Sequence, residues 1–304
     1  MDSALWLRYG LGVSRAPFLT LSLVSIVFAW SLAFFQTGLP SFFDSFLILI
    51  AMISSHIGVN ALNEYQDFKS GLDLSTDKTI FSGGSGTLVD HPEFAERAKQ
   101  IAFGAIGLAV LIGLWFVFSV GIELLPVGVL GLWIVMNYTT VINRHPWLCL
   151  VAPGFGIGIL ATLGSVYILS GGLSWEAVFW GLGYALLLNN LLLLNQFPDK
   201  QADEAVQRCH MWIAKGPVVS LALFRAQWIS AFALVAISVL FADLPWFGLS
   251  ILCVMMLVYP LWRYTQSEQC LSDNLLSALG KNVLLCHAYP ASLSAILIIS
   301  RWLT

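Results

Sequence analysis

The stretch VNALNEYQDFKSGLD, Val59 to Asp73, decides how the rest of the chain is read. It closes an apolar run and, within a few turns, presents Asn60, Asn63, Glu64 and Asp67. Side chains three and four residues apart share a helix face, so these groups are expected to form one wall. Oxygen donors so spaced suit a hard cation such as Mg2+. Far downstream NQFPDKQAD ends a second apolar run, and its Asn195, Phe197, Asp199 and Asp203 echo Asn63, Tyr65, Asp67 and Gly71. Two acidic walls at the ends of two apolar helices predict a single shared site.

The chain around these motifs is 58% hydrophobic and only 10% charged, a composition that excludes an ordinary soluble domain of this length. Crossing the hydrocarbon core as a helix takes about 20 apolar residues, and nine runs qualify: 17–35, 44–63, 98–118, 122–142, 148–170, 175–196, 218–241, 246–264 and 279–300. The expected fold is an all-α polytopic membrane protein, one domain over residues 1–304. Each motif ends the second span of a group of four, so two four-helix pseudo-repeats plus a ninth helix are expected around a central cavity.

Basic residues give the orientation. Arg8 and Arg15 precede the first span; Lys69, Lys78, Arg97 and Lys99, then Arg144, then Lys200, Arg208 and Lys215, then Arg263 and Lys281 fall in the even-numbered connections. The N-terminus is therefore expected in the cytoplasm, the C-terminus outside, and both motifs at the cytoplasmic face. Residues 1–16 read as an amphipathic segment on the inner leaflet or a frayed end. Cys149, Cys209, Cys253, Cys270 and Cys286 lack metal-ligand spacing and are expected to be reduced packing residues.

Between the first motif and the third span lies FSGGSG, Phe81 to Gly86, whose glycines allow backbone amides to approach an anion. Tyr138, Asn143 and Arg144 are candidates for the same cavity. Gly154, Gly156, Gly158 and Gly164 permit close helix packing. Asn189, Asn190 and Asn195 are expected to face a polar interior, and Pro198 to bend the helix exit. His210 reads as a surface histidine.

Carboxylates alone repel a phosphate, whereas Mg2+ bridges the two. Asp67 with Glu64 or Asp73 would hold one ion and Asp199 with Asp203 another, with Asn63 and Asn195 adding neutral oxygens. Lys78, Arg144 and Arg208 would clamp a diphosphate and stabilise its departure. A greasy tail would fill the cavity, with aromatic faces shielding a carbocation. Two other classes stay open: a secondary transporter, which would place its carboxylates deeper in the bilayer, and a non-catalytic binder of prenyl lipids.

The nine runs and the paired motifs resemble the UbiA superfamily of intramembrane prenyltransferases across nearly the whole chain. NEYQDFKSGLD is most similar to the branch that prenylates 1,4-dihydroxy-2-naphthoate for menaquinone. The resemblance implies a bacterial inner-membrane enzyme whose partners are an isoprenyl diphosphate, an aromatic acceptor and membrane lipid, with no nucleic acid. It implies a Mg2+-diphosphate role for Asn63, Glu64, Asp67, Asp73, Asn195, Asp199 and Asp203, and the role of the basic residue after the second motif for Arg208. Glu64 stands where the family usually has aspartate. The segments TTVINRHPWLCLVAPGFG and AVQRCHMWIAKG also depart from the family pattern, which leaves the acceptor open to another phenol such as 4-hydroxybenzoate, a lipid alcohol, or cyclisation of the prenyl chain itself.

Overall fold

The computed structural model describes residues 3–241 and 246–303, apart from Asp77, Ile80 and Val258; among them the chain is helical, with no strand. After an N-terminal helix, α1 (Ser3–Val13), come α2 (Ala16–Thr37), α3 (Phe42–Ser70), α4 (Pro92–Ser119), α5 (Ile122–Asn137), α6 (Pro146–Ser170), α7 (Trp175–Ala205), α8 (Gly216–Leu240) and α9 (Leu275–Leu303). All but α1 and the shorter α5 are long and apolar enough to span a bilayer, giving seven such helices among the described residues. The run expected to span from 246 to 264 forms three short pieces, Trp246–Ile251, Leu252–Leu257 and Tyr259–Tyr264. Pro260, which has no N–H to donate, sits at the start of the last piece. The chain is an integral, multi-pass membrane protein.

Both motif helices are longer than the membrane requires. The 29 residues of α3 and the 31 of α7 make rods of roughly 43 and 46 Å at 1.5 Å per residue, against a hydrocarbon core of about 30 Å. The excess lies at the C-terminal ends, and there the motifs sit. Ser41 starts α3 by accepting the Asp44 N–H, and Gly71 at φ 79° closes it, donating to the carbonyls of Asp67 and Phe68. Ser174 caps α7 by accepting the Ala177 N–H. Pro198 does not end that helix, which continues to Ala205 and carries Asp199 and Asp203 on its own surface.

The bundle is dense on one side and hollow on the other. Helices α2, α7, α8 and α9 enclose the largest core, around Trp180, Tyr184, Phe224, Phe232 and Tyr289. Close approach of α6 to α7 requires glycine at two points. A Cβ on Gly154 would lie 2.2 Å from the Ala185 carbonyl, and one on Gly158 would lie 2.6 Å from Ala185 Cα, whereas Gly156 and Gly164 have room. Following Pro153, residues Gly154–Leu163 take a wider π-helical turn, a form common at functional sites.

Asn189 and Asn190 do not face the cavity. Asn189 accepts the Gly154 N–H at 2.8 Å and donates to Gln227, which donates to Asn190 at 3.0 Å; Asn190 donates to the Phe224 carbonyl at 2.8 Å. Together with Asn282, which donates to the Asn190 carbonyl, they tie α6, α7, α8 and α9 by interhelical hydrogen bonds. Cys149 and Cys286 are buried packing residues, but Cys253 and Cys270 are exposed. On α1, Trp6, Leu7 and Leu11 are exposed while Tyr9 stacks on His91.

Candidate active site

The hollow side of the bundle holds a cavity of about 610 Å³. Its mouth is polar, formed by Arg15, Asn63, Asp67, Asp73, Ser82, Asn195, Asp199, Asp203 and Arg208; its shaft is largely apolar and reaches Ile48, Leu124 and Ile168. Asp67 and Ile48 both lie on α3, 19 residues apart by their numbers, so the shaft runs about 28 Å into the membrane.

At the first motif the chain secures its own carboxylate. Glu64 is fully buried, and Arg15 Nε donates to its Oε1 at 2.6 Å. The Ser85 N–H donates to the same oxygen at 2.8 Å and the Ser85 hydroxyl to Oε2 at 2.7 Å. Asn63 accepts from Arg15 at 3.2 Å and donates to Thr139 at 2.9 Å. The FSGGSG segment is therefore a strap drawn over the site, anchored by Ser85. At Gly84, where φ is 73°, a Cβ would meet Asp73 Oδ1 at 3.0 Å and Glu64 Oε1 at 3.4 Å, so only glycine lets the strap lie this low. The short turn Leu72–Leu74, fixed by buried Leu72, returns Asp73 to the cavity.

Arg208 joins the two motifs. One guanidinium nitrogen pairs with Asp67 Oδ1, and the other donates to Asp203 Oδ1 at 2.9 Å. Burial alone would lower the Arg208 pKa, but Asp67 and Asp203 outweigh it and hold the pKa above the ordinary arginine value. Burial likewise opposes the charge on Arg15 and Glu64 restores it, again with a net rise. Burial, reinforced by Asp67 and Glu64 against Arg15 and Arg208, pushes Asp73 up to about 7. His210, expected at the surface, is buried; its Nε2 lies 3.2 Å from Asp203 Oδ2 without the alignment of a hydrogen bond.

Five carboxylates, Glu64, Asp67, Asp73, Asp199 and Asp203, gather here around two guanidiniums, Arg15 and Arg208. Among the described residues, Asn195 Oδ1 and Asp199 Oδ1 are buried without a hydrogen-bond partner, a costly state unless a ligand completes it. No three His, Cys, Asp or Glu side chains among the described residues converge as a ready-made metal cage. Mg2+ keeps waters and takes one or two carboxylates plus substrate phosphates, so such a cage is not required for it.

Of the residues proposed from sequence, Asn63, Asp67, Asp73, Asn195, Asp199, Asp203 and Arg208 line this one cavity, and Glu64 lies behind them with its oxygens engaged. Lys78 and Arg144 are exposed and lie off the cavity wall. Lys78 lies across Gly86, where its Nζ occupies the space a Cβ would need. Arg144 points away while its neighbour Asn143 lines the cavity and accepts the Cys209 N–H at 2.8 Å. Of the aromatic rings, Phe18, Phe81, Phe116 and Tyr138 line the cavity, whereas Trp115, Trp133, Trp147, Trp175 and Trp302 face outward. Sequence reasoning missed Arg15 and His210 as cavity residues. Among the described residues, only Arg15 (φ 48°) and Gln207 (φ 62°) are non-glycines in the left-handed region. One is a cavity arginine and the other immediately precedes one, so backbone strain coincides with the site.

The comparisons with known proteins agree with this architecture. Residues 23–274 match the UbiA prenyltransferase family. The chain is 26% identical over 264 residues to a 1,4-dihydroxy-2-naphthoate octaprenyltransferase of Bacillus subtilis (strain 168), covering 84% of this chain and 82% of that one. Its fold resembles that of a UbiA homolog from Archaeoglobus fulgidus solved with GPP and Mg2+, with a TM-score of 0.68 at 13% identity over 95% of this chain and 99% of that one. It also resembles a UbiA homolog from Aeropyrum pernix K1 in its apo form, with a TM-score of 0.67 at 16% identity over 91% and 97% of the two chains. With its paired acidic helix ends facing one intramembrane cavity, the chain is a prenyltransferase and belongs to the UbiA prenyltransferase family.

Proposed function

We propose that the protein transfers a prenyl group from an isoprenyl diphosphate to an aromatic quinone precursor of the 1,4-dihydroxy-2-naphthoate type, inside the membrane and with Mg2+. The observation that carries this reading is the single guanidinium of Arg208 reaching Asp67 on one motif and Asp203 on the other. Walls that close can embrace one diphosphate. Asp67 and Asp73 would hold one ion and Asp199 and Asp203 another, with Asn63 and Asn195 adding neutral oxygens. Bound Mg2+ would stabilise the charge that grows on the diphosphate as the prenyl C1–O bond breaks.

The chain's own residues do the rest. Arg208 and Arg15 offer fixed positive charge at the mouth. Glu64 keeps its bonds to Arg15 and Ser85 and so holds the strap in place. Lys78 and Arg144, exposed near the mouth, draw an anionic substrate toward it. The apolar shaft takes the tail and excludes water from the reacting carbon. With α5 and the 246–264 pieces counted as crossings, the chain spans nine times as two four-helix halves plus α9. The basic connections support a reading with the motifs and N-terminus in the cytoplasm and the C-terminus outside, in a bacterial inner membrane.

The test is incubation of purified protein with Mg2+, labelled prenyl diphosphates of several lengths, and 1,4-dihydroxy-2-naphthoate or 4-hydroxybenzoate. Release of diphosphate coupled to a prenylated naphthoate is expected. Turnover only with 4-hydroxybenzoate would move the reading to that acceptor; no release with any pair would overturn it.

A further inference from the structure

The cavity has two chemically different walls below its mouth. On α5, α6 and α7 the wall is mostly aliphatic, with Val135, Ile157, Leu160, Leu188 and Leu192; its Ser165 and Gln196 donate to Ala161 and Cys149. On α3 a polar stripe runs inward from the carboxylates through Asn63, Asn60 and His56, at steps of four, three and four residues from Asp67, which keep all four on one face. His56 is the deepest of the four.

Its ring is held in place from the neighbouring helix. Ser22 Oγ on α2 lies 2.9 Å from His56 Nδ1, and both residues line the cavity. Among the described residues no partner meets the other nitrogen, Nε2. Whichever tautomer Ser22 selects, Nε2 presents one hydrogen-bonding position: a donor when Ser22 donates to Nδ1, an acceptor when Nδ1–H donates to Ser22. A hydrocarbon tail offers nothing to such a nitrogen, and an imidazole facing only lipid-like groups is expensive at this depth. A ring bearing hydroxyls satisfies it.

We propose that His56, oriented by Ser22, binds a ring hydroxyl of the aromatic acceptor, and that the acceptor lies along the α2–α3 wall while the prenyl tail lies against α5–α7. This rests on the prenyl-transfer reading above. The spacing supports it: Asn63 and His56 are seven residues apart on α3, about 10 Å along the axis. That interval lies between the diphosphate end, where the reacting carbon must sit, and the far oxygen of a ring system. Asn60 falls inside the interval; its side-chain nitrogen is taken by the Ser14 carbonyl at 3.0 Å, leaving its oxygen for the cavity. His56 is thus a specificity-determining residue that touches the acceptor and leaves the diphosphate alone.

The experiment separates the two substrates. His56→Phe keeps the ring volume and removes both nitrogens; His56→Gln keeps a hydrogen-bonding group; Ser22→Ala removes the orienting partner. With 1,4-dihydroxy-2-naphthoate as acceptor, kcat/KM for the acceptor is expected to fall about 10- to 100-fold in His56→Phe, as for a lost buried hydrogen bond. His56→Gln recovers part of the loss and Ser22→Ala falls between, while KM for the prenyl diphosphate stays within twofold of wild type. An acceptor with one hydroxyl methylated is expected to cost wild type the same factor and His56→Phe little. Acceptor kcat/KM unchanged in His56→Phe, or an equal rise in KM for the prenyl diphosphate, overturns the inference while leaving the prenyl-transfer reading intact. Wild-type protein that consumes no hydroxyarene with any prenyl diphosphate overturns both. If His56→Phe fails to fold, the split between the two substrates in Ser22→Ala decides alone.

Discussion

The two acidic helix ends look alike in sequence and differ in how their groups are used. At the end of α3, Glu64 takes three hydrogen bonds from Arg15 and Ser85, and Asn63 is held by Arg15 and Thr139. At the end of α7, Asn195 Oδ1 and Asp199 Oδ1 are buried and unpartnered. One motif has built Glu64 and Asn63 into the architecture, holding the strap and the first arginine; on the other, Asp203 pairs with Arg208 while one oxygen each of Asn195 and Asp199 stays open for something that arrives. A pseudo-repeat therefore need not divide its work equally. Glu64, satisfied within the protein, sets geometry, whereas the open oxygens of Asn195 and Asp199 are free to add affinity.

The sharpest way to break this comparison is to remove one carboxylate from each role. Asp199→Ala is expected to lower turnover by about 10³-fold, the scale of losing one group that stabilises developing charge, without lowering the melting temperature in detergent. Asp67→Ala should lose turnover to a similar degree, with a small drop in melting temperature because Arg208 keeps Asp203. Turnover at the wild-type rate in both variants would refute the site.

Glu64→Ala should behave in the opposite way. It takes from Arg15 its paired carboxylate, leaving only the more distant Asp67 and Asp73, and frees Ser85; breaking a buried ion pair costs about 3–5 kcal/mol, and the partly exposed Arg15 puts this one toward the lower end. A large fall in melting temperature is expected, together with protease cleavage in residues 81–86. Arg15→Ala added to Glu64→Ala should restore part of the stability, since the stranded charge is gone. A Glu64→Ala protein as stable as wild type but with altered Mg2+ dependence would return Glu64 to the metal.

What the sequence reveals and hides follows the same division. The spans and the acids are legible because hydropathy is an average over many residues and because Asn63, Asp67, Asn195, Asp199 and Asp203 recur at helical steps. The role of Arg15 is hidden, because a lone arginine before a first apolar run is what membrane topology demands anyway; only its left-handed backbone turns it into the site. Lys78 and Arg144 mislead for the same reason. They are near the motifs in sequence or space, but loop conformation decides where a long side chain points. Asn189 and Asn190 differ from Asn195 by helix rotation, which is set by the close approach of Gly154 and Gly158 to Ala185. The π-helical turn that shapes the shaft leaves no pattern beyond a proline and some glycines.

The smallest expected effect concerns Asp73, the one motif carboxylate that lies beyond the helix end. Burial first, then Asp67 and Glu64, raise its pKa to about 7, so between the ordinary carboxylate value and pH 7 the folded protein binds a proton that the unfolded chain releases. The linkage sign is then fixed: with a chelator present, this group makes the protein less stable as pH rises through that window, by at most about 1.4 kcal/mol per pH unit. Melting temperature in chelator should therefore decline from pH 5 to pH 7 and level off above, and Asp73→Asn should remove that part of the slope. Mg2+ with a prenyl diphosphate favours the ionised form, so adding both should flatten or reverse the decline. A slope identical in wild type and Asp73→Asn would mean that Asp73 is not the group squeezed by its neighbours, and the strap over it would need another explanation.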